Sequence, residues 1–161
     1  MVDIRVGQGF DIHRFADAPV DGRVLILGGV SFPGDRVLVG HSDADVIAHA
    51  VADALLGAAG LGDLGEHYPD TDPEWKGADS LRILRDVASK VRATGWRIGN
   101  VDCSVVCEQP KIAPVRNEMV RLLSEAAGAP VSVKGRRAEG LGALGRGEGI
   151  ACFASAVIIK E

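Results

Sequence analysis

At 161 residues the chain has room for one globular domain, residues 1–161, and none for a second catalytic domain. Its 47% apolar and 25% charged residues fit a folded protein, and four Phe, two Trp and one Tyr leave the core to Val, Leu, Ile and Ala. A formal charge of −4 offers no basic face to a nucleic acid, and no apolar run reaches the roughly 20 residues of a membrane span.

The chain opens on Val2 to Val6, where apolar and charged residues alternate as in a strand rather than a signal peptide, so a cytoplasmic protein is expected. A polar loop, Gly7 to Arg23, follows and carries Asp11 and His13. Val24 to Leu27 and Val30 to Phe32 read as two short strands joined at Gly28-Gly29. A first helix is predicted to begin after Ser42 or Asp43 and to fray at Gly57 to Gly60. A Gly/Asp/Pro-rich loop spans Gly62 to Gly77, and a helix from about Asp79 to Thr94 places Leu81, Leu84, Val87, Ala88 and Val91 on one stripe.

Ile98 to Cys107 alternates as a long strand, stopped by Pro110. Pro114 suits the first turn of a third helix, with Val115, Met119, Leu122, Leu123 and Ala126 as its apolar stripe before Gly128. Val131 to Lys134 and Ile150 to Ile159 give the last strands, with a glycine-rich loop, Gly140 to Gly149, between them. The order implies an α/β (α+β) sandwich of one sheet covered by helices, ferredoxin-like in character, with no linker and no internal repeat. Cys103, Cys107 and Cys152 are an odd set without CxxC spacing and read as reduced and buried.

Chemistry concentrates in the first third. In extended backbone Asp11 and His13 point to the same side, as ligands of one ion must. Asp45 and His49 lie one helical turn apart, and Asp53 continues that polar line along an otherwise apolar helix. Such groups either face a cleft or satisfy one another, so the alternative is a core histidine bonded to aspartate. Three of the four histidines cluster with Asp11, Asp43 and Asp45, which favours a metal site. Two His and one Asp would suit zinc with one position open to a substrate oxygen, and His41 and Ser42 would sit beside helix N-terminal N–H groups able to take a phosphate.

From end to end the chain resembles the 2-C-methyl-D-erythritol 2,4-cyclodiphosphate synthase family. The resemblance rests on Gly9-Phe10-Asp11-Ile12-His13, His41-Ser42-Asp43-Ala44-Asp45 with His49, Asp53 to Ala58, Gly62-Asp63-Leu64-Gly65, Tyr68 to Pro73, Gly77-Ala78-Asp79-Ser80, Gly99 to Asp102, Pro110-Lys111 and Gly145 to Ala151. It implies that Asp11, His13 and His49 hold zinc and that His41 and Ser42 hold the methylerythritol phosphate. Asp63 and Gly65 are then the ribose contacts, and Pro110, Lys111, Ile112 and Ala113 the cytosine pocket. Glu139 would hold magnesium or manganese on the nucleotide diphosphate, while Tyr68 and Asp70 belong to a mobile loop over the methylerythritol part.

It further implies a homotrimer with the nucleotide site between subunits, and Arg146 and Glu148 near the three-fold axis. The reaction would be closure of a cyclic diphosphate by the substrate's own phosphate, with loss of CMP and no protein base. The sequence departs from the family at Arg136-Arg137-Ala138, where Thr-rich sequence is usual. These arginines either bind the diphosphate or leave the cleft to the loop backbone. Gln8 and Ala143 are smaller departures. A metal-dependent phosphohydrolase and a nucleotide-binding homologue without turnover are the rival readings.

Overall fold

The spacing of small residues decides how the first strand and first helix meet. In the computed structural model, which describes residues 1–160, β1 (Asp3–Arg14) is a single long strand, so Asp11 and His13 lie within a sheet and not in the expected polar loop. That expectation failed because the loop's signals, Pro19 and Gly22, lie beyond the strand end, and the alternation of Gly7, Gly9, Asp11 and His13 was hidden by glycine. All four face α1 (Val46–Ala59). A Cβ on Gly7 would lie 2.0 Å from the Ala54 carbonyl oxygen, and one on Gly9 2.0 Å from that of Ala50, so strand and helix touch backbone to backbone.

Two strand residues advance about 6.6 Å and four helical residues about 6 Å, so Gly7 over Ala54 and Gly9 over Ala50 keep pace along antiparallel directions. Two residues beyond Gly9, Asp11 reaches the His49 side chain, with Oδ2 3.0 Å from Nδ1.

α1 is almost wholly buried because it is covered twice, by the sheet and by α3 (Ser80–Ala93). It starts later than predicted. Asp45 is its N-cap and is fully buried, accepting from Ile47 N at 3.1 Å and Ala48 N at 3.2 Å. The same carboxylate accepts from Gly28 N at 2.8 Å and Gly29 N at 2.7 Å. Those two glycines form the turn between β2 (Leu25–Leu27) and β3 (Val30–Phe32), with φ of 56° and 77°. Asp45 therefore fastens the hairpin to the helix and does not continue the polar line of His49. At the other end Gly60 adopts φ 70° and returns its N–H to Leu56 and Gly57, so the helix is capped rather than frayed.

Two short helical pieces break the expected loop at 62–77: α2 (Leu64–His67) and a single 3-10 turn, Pro73–Trp75. α3 buries the predicted stripe of Leu81, Leu84, Val87, Ala88 and Val91. β4 (Arg97–Val106) runs into α4 (Arg116–Ala127), which crosses back to β5 (Val131–Arg136), parallel to β4. α5 (Gly142–Gly145) is a single turn in the glycine-rich segment, and β6 (Gly149–Lys160) closes the sheet in the order β1-β6-β4-β5. The three cysteines are free and buried.

All helices with a large buried face cover one side of the sheet. The other side carries Ile4, Val6, Phe10 and Ile12 from β1 and Phe153 from β6, all exposed, with the Phe10 and Phe153 rings 4.8 Å apart. It is an apolar surface that the single chain leaves in water.

Candidate metal centre and phosphate cleft

Asp11, His13 and His49 converge where β1 passes the first turn of α1. Asp11 Oδ2 lies 3.0 Å from His13 Nε2 and 3.0 Å from His49 Nδ1. One ligand atom from each residue lies within 4.8 Å of the other two, the only such group of three among the described residues. One carboxylate oxygen and two imidazole nitrogens form a donor set that suits a borderline divalent ion.

The nitrogens facing away from this centre are also engaged. His13 Nδ1 donates to the Val39 carbonyl at 2.7 Å, which fixes the ring with Nε2 toward Asp11. His49 Nε2 lies 2.8 Å from Ser80 Oγ and 3.1 Å from Ser42 Oγ. Burial acts to raise the Asp11 carboxyl, but hydrogen bonds and charge from His13 and His49 outweigh it and hold the group well below the usual carboxylate range. Burial likewise acts to lower His13, and its bond to Asp11 reverses this, leaving it raised.

The centre opens into a cleft of about 580 Å³ bordered by His41, Ser42, Gly65, Tyr68 and Asp70 as well as the three clustered residues. His41 Nε2 donates to the Asp72 carbonyl at 2.9 Å, which pins it to the loop opposite. Ser42 is buried and its hydroxyl turns inward, accepting from Ala44 N at 3.2 Å. The expectation that His41 and Ser42 flank helix N-terminal N–H groups fails, because the helix begins at Val46 and Asp45 occupies those donors. Asp63 caps α2 through Glu66 N at 3.0 Å and borders a side branch of the cleft with Asp53 and Gly65.

The remaining predicted residues lie elsewhere. Pro110, Lys111, Ile112, Ala113, Arg136 and Arg137 border a second cavity of about 350 Å³ around the β4 and β5 ends. Arg146 borders a third, with Phe15 and Arg36. Glu139 borders none of these, stands exposed and has φ 54°. The cleft at Asp11, His13 and His49 and the second cavity have no lining residue in common, so one chain presents two separate cavities.

Sequence reasoning left two groups without a role. Ser80 is buried beside His49, although Asp79 already caps α3; two capping residue types in succession were the available signal. Asp86 and Lys90 of α3 hold the Tyr68 hydroxyl, a contact that no local pattern could announce.

Comparison with known proteins agrees with this geometry. The model of the YgbB family matches residues 4–159. A 2-C-methyl-D-erythritol 2,4-cyclodiphosphate synthase from Bordetella petrii is 53% identical, over 99% of this chain and 98% of its own length. A bifunctional IspD/IspF enzyme from an Anaeromyxobacter strain is 54% identical, but the chain spans only 40% of that relative's length. An IspF structure from Plasmodium falciparum in complex with CDP superposes with a TM-score of 0.83 at 34% identity, covering 98% of this chain and 97% of that one.

Proposed function

Because the chain belongs to the YgbB family of 2-C-methyl-D-erythritol 2,4-cyclodiphosphate synthases, we propose that it converts 4-diphosphocytidyl-2-C-methyl-D-erythritol 2-phosphate to the 2,4-cyclodiphosphate and CMP. The convergence of His13 Nε2 and His49 Nδ1 on Asp11 Oδ2, at the floor of a cleft bordered by His41 and Ser42, is the observation that carries this reading.

The reaction asks little covalent chemistry of the protein. The 2-phosphate oxygen of the substrate attacks the β-phosphorus, the bond to the CMP oxygen breaks, and an eight-membered ring closes. Two anionic groups must be brought into line, so the work is positioning and charge neutralisation. Asp11, His13 and His49 would hold zinc, and an ion bound there supplies a Lewis acid to a phosphoryl oxygen. Glu139 would hold magnesium or manganese on the diphosphate.

His41 and Ser42 position the methylerythritol phosphate, with His41 itself steadied by the Asp72 carbonyl. Asp63 and Gly65 take the ribose, and Tyr68 and Asp70 form the wall over the methylerythritol portion. Pro110, Lys111, Ile112 and Ala113 receive the cytosine. Arg136 reaches the nucleotide phosphates from the rim of that pocket, a role its cavity position supports. Arg137 instead pairs with Glu108, whose carboxylate lies 2.9 Å from Nη2 and accepts from Ala138 N at 2.8 Å.

The active unit is a homotrimer in this reading. Two features support it: the half-sites do not meet within one chain, and the sheet face of Ile4, Val6, Phe10, Ile12 and Phe153 is bare. The cytidine cavity of one subunit would complete the metal cleft of its neighbour. Arg146 then belongs near the axis. Light scattering tests the assembly, with three chains per particle expected and a monomer opposing it.

A metal-dependent hydrolase would place water where the phosphate oxygen attacks. The two are separated by whether solvent oxygen enters the product.

A further inference from the structure

The loop before β2 sends one side chain to the segment that carries His41 and Ser42. Arg23, which follows the positive-φ residue Gly22, places Nη1 2.9 Å from the Gly40 carbonyl oxygen and Nη2 2.7 Å from that of Ser42. One guanidinium therefore bridges the carbonyls of the residues on either side of His41. A planar fork of fixed donors can do this, and a compact ammonium cannot. Arg23 does not border the cleft; it borders a separate cavity of about 400 Å³ with Asp17, Asp35 and Arg36. It forms no ion pair among the described residues, so its charge is spent on the two carbonyls.

Four consecutive carbonyls around His41 are engaged. That of Val39 accepts from His13 Nδ1 at 2.7 Å, those of Gly40 and Ser42 from Arg23, and that of His41 from Gly77 N at 2.8 Å. The N–H groups of Gly40, His41 and Ser42, by contrast, have no partner among the described residues. All three residues border the cleft. Their peptides are trans, so each N–H points opposite to the carbonyl of its own peptide plane. Holding the Gly40 oxygen against Arg23 therefore turns the His41 N–H away from Arg23. A flip of that peptide would exchange a donor for a carbonyl oxygen, which repels phosphate.

Gly40 is where such a flip is easiest. A Cβ there would lie 2.8 Å from Ala44 Cβ and 3.0 Å from His13 Cε1, so close packing demands glycine, and glycine leaves the peptide free to turn. Arg23 supplies a restraint that no side chain at position 40 could.

We infer that Arg23 is a positioning residue for the substrate's phosphate, an assignment that rests on reading the cleft of His41 and Ser42 as the phosphate site. It keeps the N–H groups of 40–42 turned out from its own side, and its charge-assisted bonds polarise those peptides and strengthen them as donors.

Two ligands that cannot react test this. Methylerythritol 2-phosphate carries the phosphate but no diphosphate to attack, and CMP is directed to the cytidine cavity. Each is titrated into zinc-supplemented protein and followed by backbone amide shifts. Arg23→Ala should weaken methylerythritol 2-phosphate by roughly 10-fold, the loss of a charge-assisted contact, with CMP affinity and zinc content as in the wild type. Arg23→Lys, which keeps the charge but meets one carbonyl at a time, should recover about threefold of that loss.

A merely structural role would lower both affinities together. Unchanged methylerythritol 2-phosphate affinity in Arg23→Ala overturns the inference and leaves the cleft reading intact, as does an equal weakening of CMP or a loss of zinc. If Arg23→Ala does not fold, Arg23→Lys decides, and wild-type affinity there overturns the inference. A wild-type protein that binds CMP but no methylerythritol 2-phosphate would instead refute the cleft reading, and the role of Arg23 with it.

Discussion

The Tyr68 phenol donates to Asp86 Oδ2 at 2.5 Å, linking the loop over the cleft to the middle of α3. Lys90 Nζ donates to the same phenolic oxygen at 3.0 Å and pairs with Asp86, while the Trp75 ring packs edge-on at 4.9 Å. Desolvation and the bond to Asp86 push the phenol up to about 12, so Tyr68 remains a donor across the working pH range. Tyr68 borders the cleft, and its hydroxyl is held by Asp86 and Lys90 of α3.

Removing that hydroxyl should loosen the loop without emptying the core. Tyr68→Phe and Asp86→Asn are expected to destabilise the anchored loop by about 0.5–1.5 kcal/mol, the net value of one hydrogen bond. Faster amide exchange across 64–77 and a raised KM with little change in kcat are the expected readouts. Unaltered exchange would mean the loop is held by Trp75 packing alone.

The same contact predicts an acid dependence. Asp86 is lowered first by its hydrogen bond from Lys90 and then by that from Tyr68. A carboxyl lowered in the folded state contributes anchoring above its unfolded pKa, and this contribution is lost as pH falls through the lowered value. Trp75 fluorescence in a Trp96→Phe background should therefore change below the usual carboxylate range, and Asp86→Asn should abolish that change.

Close approach at the strand–helix contact is a second vulnerability. A Cβ at Gly9 would lie 2.0 Å from Ala50 O and 2.6 Å from Ala54 N, both backbone atoms. Gly9→Ala must push β1 off α1, at a cost of about 1–3 kcal/mol or more, and carry Asp11 away from His49. A lowered Tm with lost metal content is expected; a stable variant with full metal content would show that the register between Asp11 and His49 has slack.

At the second cavity the two arginines should behave differently. Arg136 borders the cavity with Lys111 and Arg116, whereas Arg137 is paired with Glu108. Loss of a charge-assisted contact is worth about 1.5–3 kcal/mol, so Arg136→Thr should weaken CDP binding by roughly 10- to 100-fold in calorimetry. Arg137→Thr should have a smaller effect. Equal or tighter binding by Arg136→Thr would remove that residue from the phosphate site.

How far the sequence revealed this fold depended on whether a local signal carried the information. The α3 stripe and the β2–β3 pair were legible because apolar periodicity and a Gly-Gly turn are local. β1 was cut short at Gly7 because glycines that permit contact with α1 look, in sequence, like glycines that permit a loop. Asp45 was placed on the wrong face for a related reason: its four N–H partners include two from a hairpin 16 and 17 residues away.

The site divides in the same way. Asp11, His13 and His49 were legible as a cluster by spacing and as a ligand set by resemblance, and the structure brings them together. The contacts of Ser80 and Asp86 were not, since each meets a residue distant in sequence. The separation of the cavity lined by Pro110 to Ala113 from the cleft at Asp11 depends on where β4 and β5 end in space.

The most direct test supplies 4-diphosphocytidyl-2-C-methyl-D-erythritol 2-phosphate to the purified protein in oxygen-18 water with zinc and magnesium, and follows phosphorus resonances. Equimolar CMP and cyclic diphosphate, free of solvent oxygen and abolished in His49→Ala together with metal content, is the predicted result. Oxygen-18 in the released phosphates, or full turnover by a metal-free variant, would contradict it.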